Sequence, residues 1–314
     1  MLRGYLMRGS LSGMSCWHVP NADDHQERSS RIVARQASPT LRRRELGSRL
    51  RQLRIAQGKT AEDVAQALMV SATKITRLET GARGVNMRDI RDLCNVYEVS
   101  DAEREHLMRL ARQSREDSWF QHYDLQHPTY IGLEASAASI ADYKSDVING
   151  LLQTERYARA ILEATLPDPT EDKIAQNVES RRVRQRLLTD EPPLGLWAVI
   201  HEAALRTYIG GPDVMREQLE TLVERAAQPN VDLQLLPFTA GAHPAIHSPF
   251  TLLHFREEVP DVVYVEGLLG EHYLEARADI ERYRRVFDQL RAMALSPKDS
   301  AAQIAAIAKT FVDD

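Results

Sequence analysis

The chain has 314 residues, of which 43% are hydrophobic and 27% are charged, a composition typical of a globular protein with more than one domain. No run of 18 or more apolar residues occurs, which excludes a membrane-spanning segment, and two cysteines are too few for a disulfide framework. The net charge of −5 is unevenly distributed, since residues 41–83 sum to +6 and residues 84–314 sum to −13. A basic segment joined to an acidic body is typical of a chain that meets a polyanion at one end. We expect a cytoplasmic protein.

Residues 1–40 mix Ser, Gly, His and charged residues without apolar periodicity, and we expect a disordered leader there. From residue 41 the apolar residues recur at helical spacing, and Gly58 marks the end of the first helix. Capping residues and short loops then separate four further helices. The sequence therefore predicts a five-helix bundle that occupies residues 41–118.

Residues 119–314 differ in character, because helical patterns alternate there with short runs typical of strands. Strands clustered between helices favour an α+β domain with a small, mainly antiparallel sheet, within a chain that is mainly α. Helices are predicted at 134–148, 154–166, 170–189, 212–227, 278–294 and 297–311. Strands are predicted at 194–200, 231–235, 250–255, 262–266 and 272–275.

A helix-turn-helix motif occupies the segment between Thr60 and Gly81. Thr60 and Asp63 have the spacing of a capping box, and Ser71 is placed to cap the next helix. Two short helices at this spacing suit the major groove of DNA, which admits one helix while the other braces it against the backbone. The second of them is the predicted recognition helix.

The outward face of the recognition helix carries the side chains expected to read base edges. An arginine can pair with guanine through two hydrogen bonds, threonine hydroxyls suit several base edges, and small methyl groups suit thymine. Basic side chains, capping hydroxyls and helix amino ends nearby are expected to contact phosphates. The predicted base-reading residues are Ala72, Thr73, Thr76 and Arg77. The predicted phosphate contacts are Lys59, Thr60, Ser71, Lys74 and Arg83.

The segment from residue 50 to residue 81 resembles the XRE (Cro/repressor-type) helix-turn-helix family. The resemblance rests on Val-Ser at 70–71, on Ile-Thr-Arg-Leu-Glu at 75–79 and on Gly81. It implies that Arg54 and Glu79 form an ion pair between the first helix and the end of the recognition helix, which assigns Arg54 to structure. Met69 stands in the turn where the family often has Gly, at a modest conformational cost where φ is positive.

Motifs along the rest of the chain carry a second resemblance, to the actinobacterial WhiJ-type regulators. They are Tyr-Ile-Gly-Leu-Glu at 130–134, Gly-Leu-Leu-Gln-Thr at 150–154, Gly-Ala-His-Pro at 241–244 and Val-Tyr-Val-Glu at 263–266. Asn149 replaces the Pro that usually precedes the second of these motifs. The resemblance implies an antitoxin-like C-terminal domain, a small partner protein encoded beside the regulator, and an influence on sporulation or antibiotic production.

No catalytic motif is complete in the sequence. His201 and Glu202 resemble the first half of a zinc-protease helix, but Leu205 occupies the position of the required second histidine. His243 and His247 have a spacing compatible with a metal, but a proline between them disfavours a helix, and hydrogen-bonded loop histidines are the simpler interpretation. No phosphate-binding loop, dinucleotide glycine motif or nucleophile elbow occurs. We therefore expect no enzyme, no cofactor and no metal.

The loop over residues 241–249 is long for a connection between two strands, and with the motifs at 150–154 and 264–266 it could line a ligand pocket or a partner surface. The simpler interpretation is that these residues only build turns and core. The candidate surface residues are Gln153, Thr154, His243, His247, Tyr264 and Glu266.

Together these patterns predict a sequence-specific transcriptional regulator that binds an operator in double-stranded DNA. A homodimer is expected, because one recognition helix covers too few base pairs for useful specificity. The acidic C-terminal domain is expected to receive a signal as a protein-interaction module or as a small-molecule sensor, with an unrecognised enzyme as a third interpretation. The alternative function is that of an antitoxin-like protein which neutralises a small neighbouring protein and binds DNA for autoregulation.

Overall fold

The computed structural model describes residues 38–82, 84–116, 125, 127–256, 259–268 and 270–311. The leader expected before residue 38 lies outside the described residues, as does the predicted domain boundary at residues 118 and 119. Both remain predictions. Within the described ranges, no helix combines the length and the apolar character that a membrane crossing requires.

Five helices form the N-terminal bundle, as the sequence predicts. The first begins two residues before its predicted start, because the Ser38 side chain accepts a hydrogen bond from the amide of Leu41 at 3.2 Å and proline is favourable in a first turn. Thr60 and Asp63 complete the predicted capping box of the second helix. The helices are α1 (Pro39–Ala56), α2 (Ala61–Ala67), α3 (Ala72–Glu79), α4 (Met87–Val96) and α5 (Asp101–Gln113).

The bundle core brings the backbones of α1 and α3 into contact. Leu46 on α1 is fully buried and belongs to the same apolar cluster as Ile75 and Leu78 on α3. Between them, a Cβ added to Gly47 would lie 2.5 Å from the carbonyl oxygen of Glu79 and 2.6 Å from that of Leu78. No side chain separates the two helices there, so α1 directly sets the position of α3.

Most of the helices predicted for the C-terminal α+β domain are present. Those expected at 154–166, 212–227, 278–294 and 297–311 are confirmed within a few residues, and the helix expected at 170–189 ends at Gln185, before a 3-10 turn at Arg186–Leu188. The helices are α6 (Pro128–Glu134), α7 (Glu155–Thr165), α8 (Glu171–Gln185), α9 (Glu202–Arg206), α10 (Pro212–Arg225), α11 (Arg277–Met293) and α12 (Pro297–Ala308). The strands are β1 (Ser139–Lys144), β2 (Gly195–His201), β3 (Val231–Leu236), β4 (Phe250–His254), β5 (Val262–Gly267) and β6 (Gly270–Leu274).

The prediction of a small, mainly antiparallel sheet is wrong. One six-stranded mixed sheet has the order β3-β2-β1-β4-β5-β6. β1 pairs in parallel with β2, and β2 with β3, whereas β4, β5 and β6 continue from β1 as antiparallel neighbours. The parallel half follows from the helices between its strands, because a parallel connection needs a crossover, which α7–α8 and α9–α10 supply.

The error arises from β1, which lies inside the segment predicted as a helix over 134–148. That segment is rich in Ala and Ser and shows no clear alternation of apolar and polar residues. Pairing with β2 on one side and β4 on the other stabilises the extended conformation, since strand formation depends more on neighbouring strands than on local propensity. The pattern therefore indicated the wrong type for β1, and it did not predict the short helices α6 and α9.

Helices cover both faces of the sheet. α6, α7, α10 and α12 bury apolar residues against one face, and α11 packs against the other. Leu41, in the first turn of α1, is 4% exposed and belongs to the first of these clusters, while Leu46 and Leu50 of α1 belong to the core of the N-terminal bundle. One helix thus contributes to two hydrophobic cores.

We predict that Gly47→Ala lowers the free energy of unfolding by about 2–3 kcal/mol, as expected when an added methyl group forces a backbone shift in a packed core. The two carbonyl oxygens that it meets belong to the backbone of α3 and cannot move independently. Urea unfolding followed by circular dichroism measures the change. Gly84→Ala is the matched control, because nothing lies within 4 Å of a Cβ at that position. Equal stability of the two variants would contradict the close contact of α1 with α3.

Candidate nucleic-acid interface

The turn between α2 and α3 is short and is held by hydrogen bonds. The backbone of Met69 adopts the left-handed conformation, with φ +52°. The Met69 side chain is 93% exposed and does not pack against the bundle. The amide of Val70 donates to the carbonyl of Ala65 at 2.9 Å, and the Ser71 hydroxyl accepts from the amide of Lys74 at 3.2 Å. These contacts set the angle at which α3 leaves α2.

α3 has one buried and one exposed face. Ile75 and Leu78 are buried, whereas Thr73, Thr76 and Arg77 are exposed. Ala72, the remaining member of the predicted base-reading set, is half-buried and packs against the bundle core. The Thr76 hydroxyl donates to the Ala72 carbonyl at 3.1 Å, which leaves its lone pairs free to accept from a base. Thr73, Thr76 and Arg77 are the side chains that α3 presents outward.

The predicted phosphate contacts differ in their surroundings. Thr60 and Ser71 are exposed at the amino ends of α2 and α3, and Lys59 next to them is half-buried. The ammonium of Lys74 lies 2.8 Å from an Asp89 carboxylate oxygen on α4, so a phosphate would have to compete with that ion pair. Arg83 lies outside the described residues.

Arg54 and Glu79 make a bidentate ion pair between α1 and the end of α3. Nε of Arg54 lies 2.6 Å from Oε1 of Glu79, and a second guanidinium nitrogen lies 2.9 Å from Oε2. The guanidinium also donates to the carbonyl of Lys59 at 2.8 Å. The hydrogen bond with Glu79 is the main cause that raises the pKa of Arg54. The Arg54 and Glu79 side chains are 14% and 7% exposed, so water competes poorly for this pair.

We predict that Arg54→Ala lowers the stability of the protein by about 3 kcal/mol, because it leaves the buried Glu79 carboxylate without its partner. Thermal and urea unfolding measure the loss. Arg51→Ala removes an exposed arginine from the same helix and serves as the control. Unchanged melting of the Arg54 variant together with lost DNA binding would instead assign Arg54 to the DNA interface.

In the C-terminal domain, Gln153 and the charge of Glu266 interact with Arg181, a residue that the sequence did not single out. Tyr264 is buried, and its hydroxyl donates to Glu266 at 3.2 Å. Arg181 donates to Oε1 of Gln153 at 2.7 Å and, within the described part of the chain, only to neutral oxygen atoms. Burial lowers the pKa of this guanidinium to about 10, and the charge of Glu266 partly offsets the effect. Thr154 caps α7, and its amide donates to Gln218 at 2.7 Å.

His243 and His247 lie apart from this group. His243 is buried, with Nε2 3.3 Å from the Tyr143 hydroxyl, and it stacks near His201 at a ring separation of 5.7 Å. Tyr143 packs on the opposite face of the sheet from Tyr264. Burial lowers the pKa of His243, so the ring is neutral near pH 7. His247 is exposed. Among the described residues, no group of three or more His, Cys, Asp or Glu side chains is arranged to hold a metal ion.

A polar cluster at the start of α6 was also not predicted from the sequence. His127 contacts Glu271 through Nδ1 and lies 3.1 Å from Glu266 through Nε2. The hydrogen bond with His127 lowers the pKa of Glu266 to about 2, and the same bond raises the pKa of His127. The Tyr273 hydroxyl donates to Glu271. No spacing in the sequence indicates this cluster, because its members come from α6, β5 and β6.

A buried ion pair joins α6 to α8 beside these residues. Glu134 is fully buried and accepts from Arg184 through both carboxylate oxygens, at 2.6 and 2.9 Å. The guanidinium carbon of Arg184 lies 5.6 Å from the centre of the Tyr130 ring. Tyr130 and Glu134 belong to the motif at 130–134. The motif therefore pointed to this part of the domain, but it did not indicate that Arg184 is the partner of Glu134.

The bundle matches a known family. Residues 45–107 match the family model described as a helix-turn-helix domain, and this range begins within α1 and ends within α5. The chain is therefore a DNA-binding regulator of the helix-turn-helix class. Residues 127–306, more than half of the chain, match the family described as a domain of unknown function (DUF5753), and the protein belongs to that family. Comparisons with curated proteins and with solved structures returned no match.

Proposed function

We propose that the protein is a sequence-specific transcriptional regulator that acts in the cytoplasm and inserts α3 into the major groove. The observation that carries this proposal is the exposed face of α3, on which Thr73, Thr76 and Arg77 stand while Ile75 and Leu78 anchor the helix. A groove about 12 Å wide accepts one such helix. The side chains on the face can donate to guanine and accept from or donate to other bases.

The second part of the proposal is that the regulator acts as a homodimer on two half-sites. α3 has 8 residues, and a helix of that length contacts only a few base pairs. The resemblance to XRE repressors supports the same arrangement, with half-sites about 34 Å apart along one face of DNA.

We predict that Arg77→Ala weakens binding to the preferred operator by about 1–3 kcal/mol and relaxes the base preference at one position of each half-site. The reason is that an arginine paired with guanine carries sequence information, whereas a phosphate contact does not. Selection from a random DNA library identifies the operator, and titration of labelled duplexes gives the affinities.

Arg112→Ala is the matched control, because it removes one exposed arginine from α5, outside α2 and α3. A loss that is equal on all DNA sequences would make Arg77 a phosphate contact and reverse the proposed orientation. Failure of the wild-type protein to select any sequence would refute the proposal as a whole.

The third part of the proposal is that the DUF5753 domain receives a signal by binding, without catalysis. Arg181 supports this part, since its guanidinium is desolvated and meets Gln153 and Ala158 through neutral oxygen atoms. The resemblance to WhiJ-type regulators supports a small neighbouring protein as the partner, in the control of development or secondary metabolism. A small molecule is the other class of signal.

Purification of the protein from its host, followed by native mass spectrometry, tests this part. We expect a bound small protein or small molecule in a fixed ratio, and removal of it should change the affinity for the selected operator. A protein isolated alone, with the same operator affinity as recombinant material, would contradict signal reception.

A further inference from the structure

The first turn of α1 is held by the C-terminal domain. The amide of Ser38 donates to the Ser136 hydroxyl at 2.7 Å, and the Ser38 hydroxyl donates to the carbonyl of Gly132 at 2.5 Å. Leu41 is buried in the core of that same domain. α1 continues without a break into the N-terminal bundle, over a helix about 27 Å long at 1.5 Å per residue. The C-terminal domain therefore holds one end of α1, which is a single continuous helix.

Arg44, one turn further along α1, faces β6. Its guanidinium forms an ion pair with Glu275 and lies over the ring of Tyr273, 4.6 Å from the ring centre. The Arg44 side chain is only 11% exposed, which favours both contacts over interaction with water. These contacts fix the rotation of α1 about its own axis relative to the sheet.

The backbone and the first side-chain carbons of Arg44 meet the chain just after the recognition helix. A Cβ added to Gly81, which follows the C-cap of α3 at φ +66°, would lie 3.1 Å from Cγ of Arg44 and 3.2 Å from its Cα. Gly47, one turn later on α1, touches the last turn of α3 directly. A rotation of α1 must therefore displace α3.

We infer that Arg44 is a positioning residue for DNA recognition, through which Glu275 and Tyr273 of the C-terminal domain set the orientation of α3. The inference rests on the proposed function, because it assumes that α3 reads DNA. The contact network also continues away from α1, since the Tyr273 hydroxyl donates to Glu271, which is bonded to His127. A signal that repacks this end of β6 changes operator affinity without touching the DNA.

The test compares two neutralised carboxylates with the same change of charge. Glu275→Gln removes the partner of Arg44, and Glu281→Gln removes a carboxylate that is 44% exposed and pairs with Arg277 on α11. We expect Glu275→Gln to weaken binding to the selected operator on the order of tenfold, within the usual range of coupling between sites. Glu281→Gln should bind as the wild-type protein does, and both variants should keep wild-type affinity for random-sequence DNA.

Charge reversal separates positioning from long-range electrostatics. Attraction to DNA alone predicts that Arg44→Glu weakens operator binding and that Glu275→Arg strengthens it. The positioning role predicts that both single variants weaken it and that the double variant, which restores the pair in reverse, recovers most of the loss. Thermal unfolding of each variant shows whether the protein remains folded, and Glu275→Gln provides the readout if the reversed variants do not fold.

The outcomes are distinct. If the wild-type protein selects no operator, the proposed function fails before this inference is tested. If an operator is selected but Glu275→Gln binds it as Glu281→Gln does, or if Glu275→Arg strengthens binding, the inference is wrong while the proposed function stands.

Discussion

The contact between the backbones of α1 and α3 is the constraint on which the DNA-binding bundle depends. At Gly47 only a hydrogen atom separates the two helices, so their distance cannot vary without loss of packing. The Arg54–Glu79 pair holds the same end of α3 from a position two turns further along α1. Two attachments of different kinds, one steric and one electrostatic, thus orient the exposed face of α3.

A second constraint organises the C-terminal domain around β1. This strand joins the parallel half of the sheet to the antiparallel half, and it pairs along most of its length on both sides. Asp142 on β1 is fully buried and accepts from the Thr251 hydroxyl at 2.6 Å, which places a polar contact at the centre of the sheet. The Glu134–Arg184 pair then fastens α6 to α8 beside it. Burial of Glu134 and Arg184 is tolerated because each charge is the partner of the other.

Local chemistry made much of the fold predictable. Capping side chains such as Thr60, Thr154 and Ser296 act within three residues of themselves, so the sequence indicated where helices begin. β1 was missed because its conformation depends on strands that lie more than 50 residues away in the chain. The pairing of Arg44 with Glu275 joins residues 231 positions apart, and no pattern in one sequence reports such a distance. The exposed residues of α3 could be predicted from the sequence. The half-burial of Ala72 could not, because it depends on how the helices of the bundle pack.

The placement of Leu41 limits how far the two domains are exchangeable units. In many regulators a DNA-binding segment can be regarded as a cassette that ends at a flexible linker. Here α1 begins inside the core of the other domain, because Leu41 is buried there. A chain that starts at Leu46 would lack the Leu41 side chain. A cut after the bundle would leave Leu41 on the bundle and separate it from the core in which it is buried. Recombination that transfers the bundle alone leaves both products with a packing defect. Leu41 thus ties the inheritance of the DNA-binding bundle to that of the C-terminal domain.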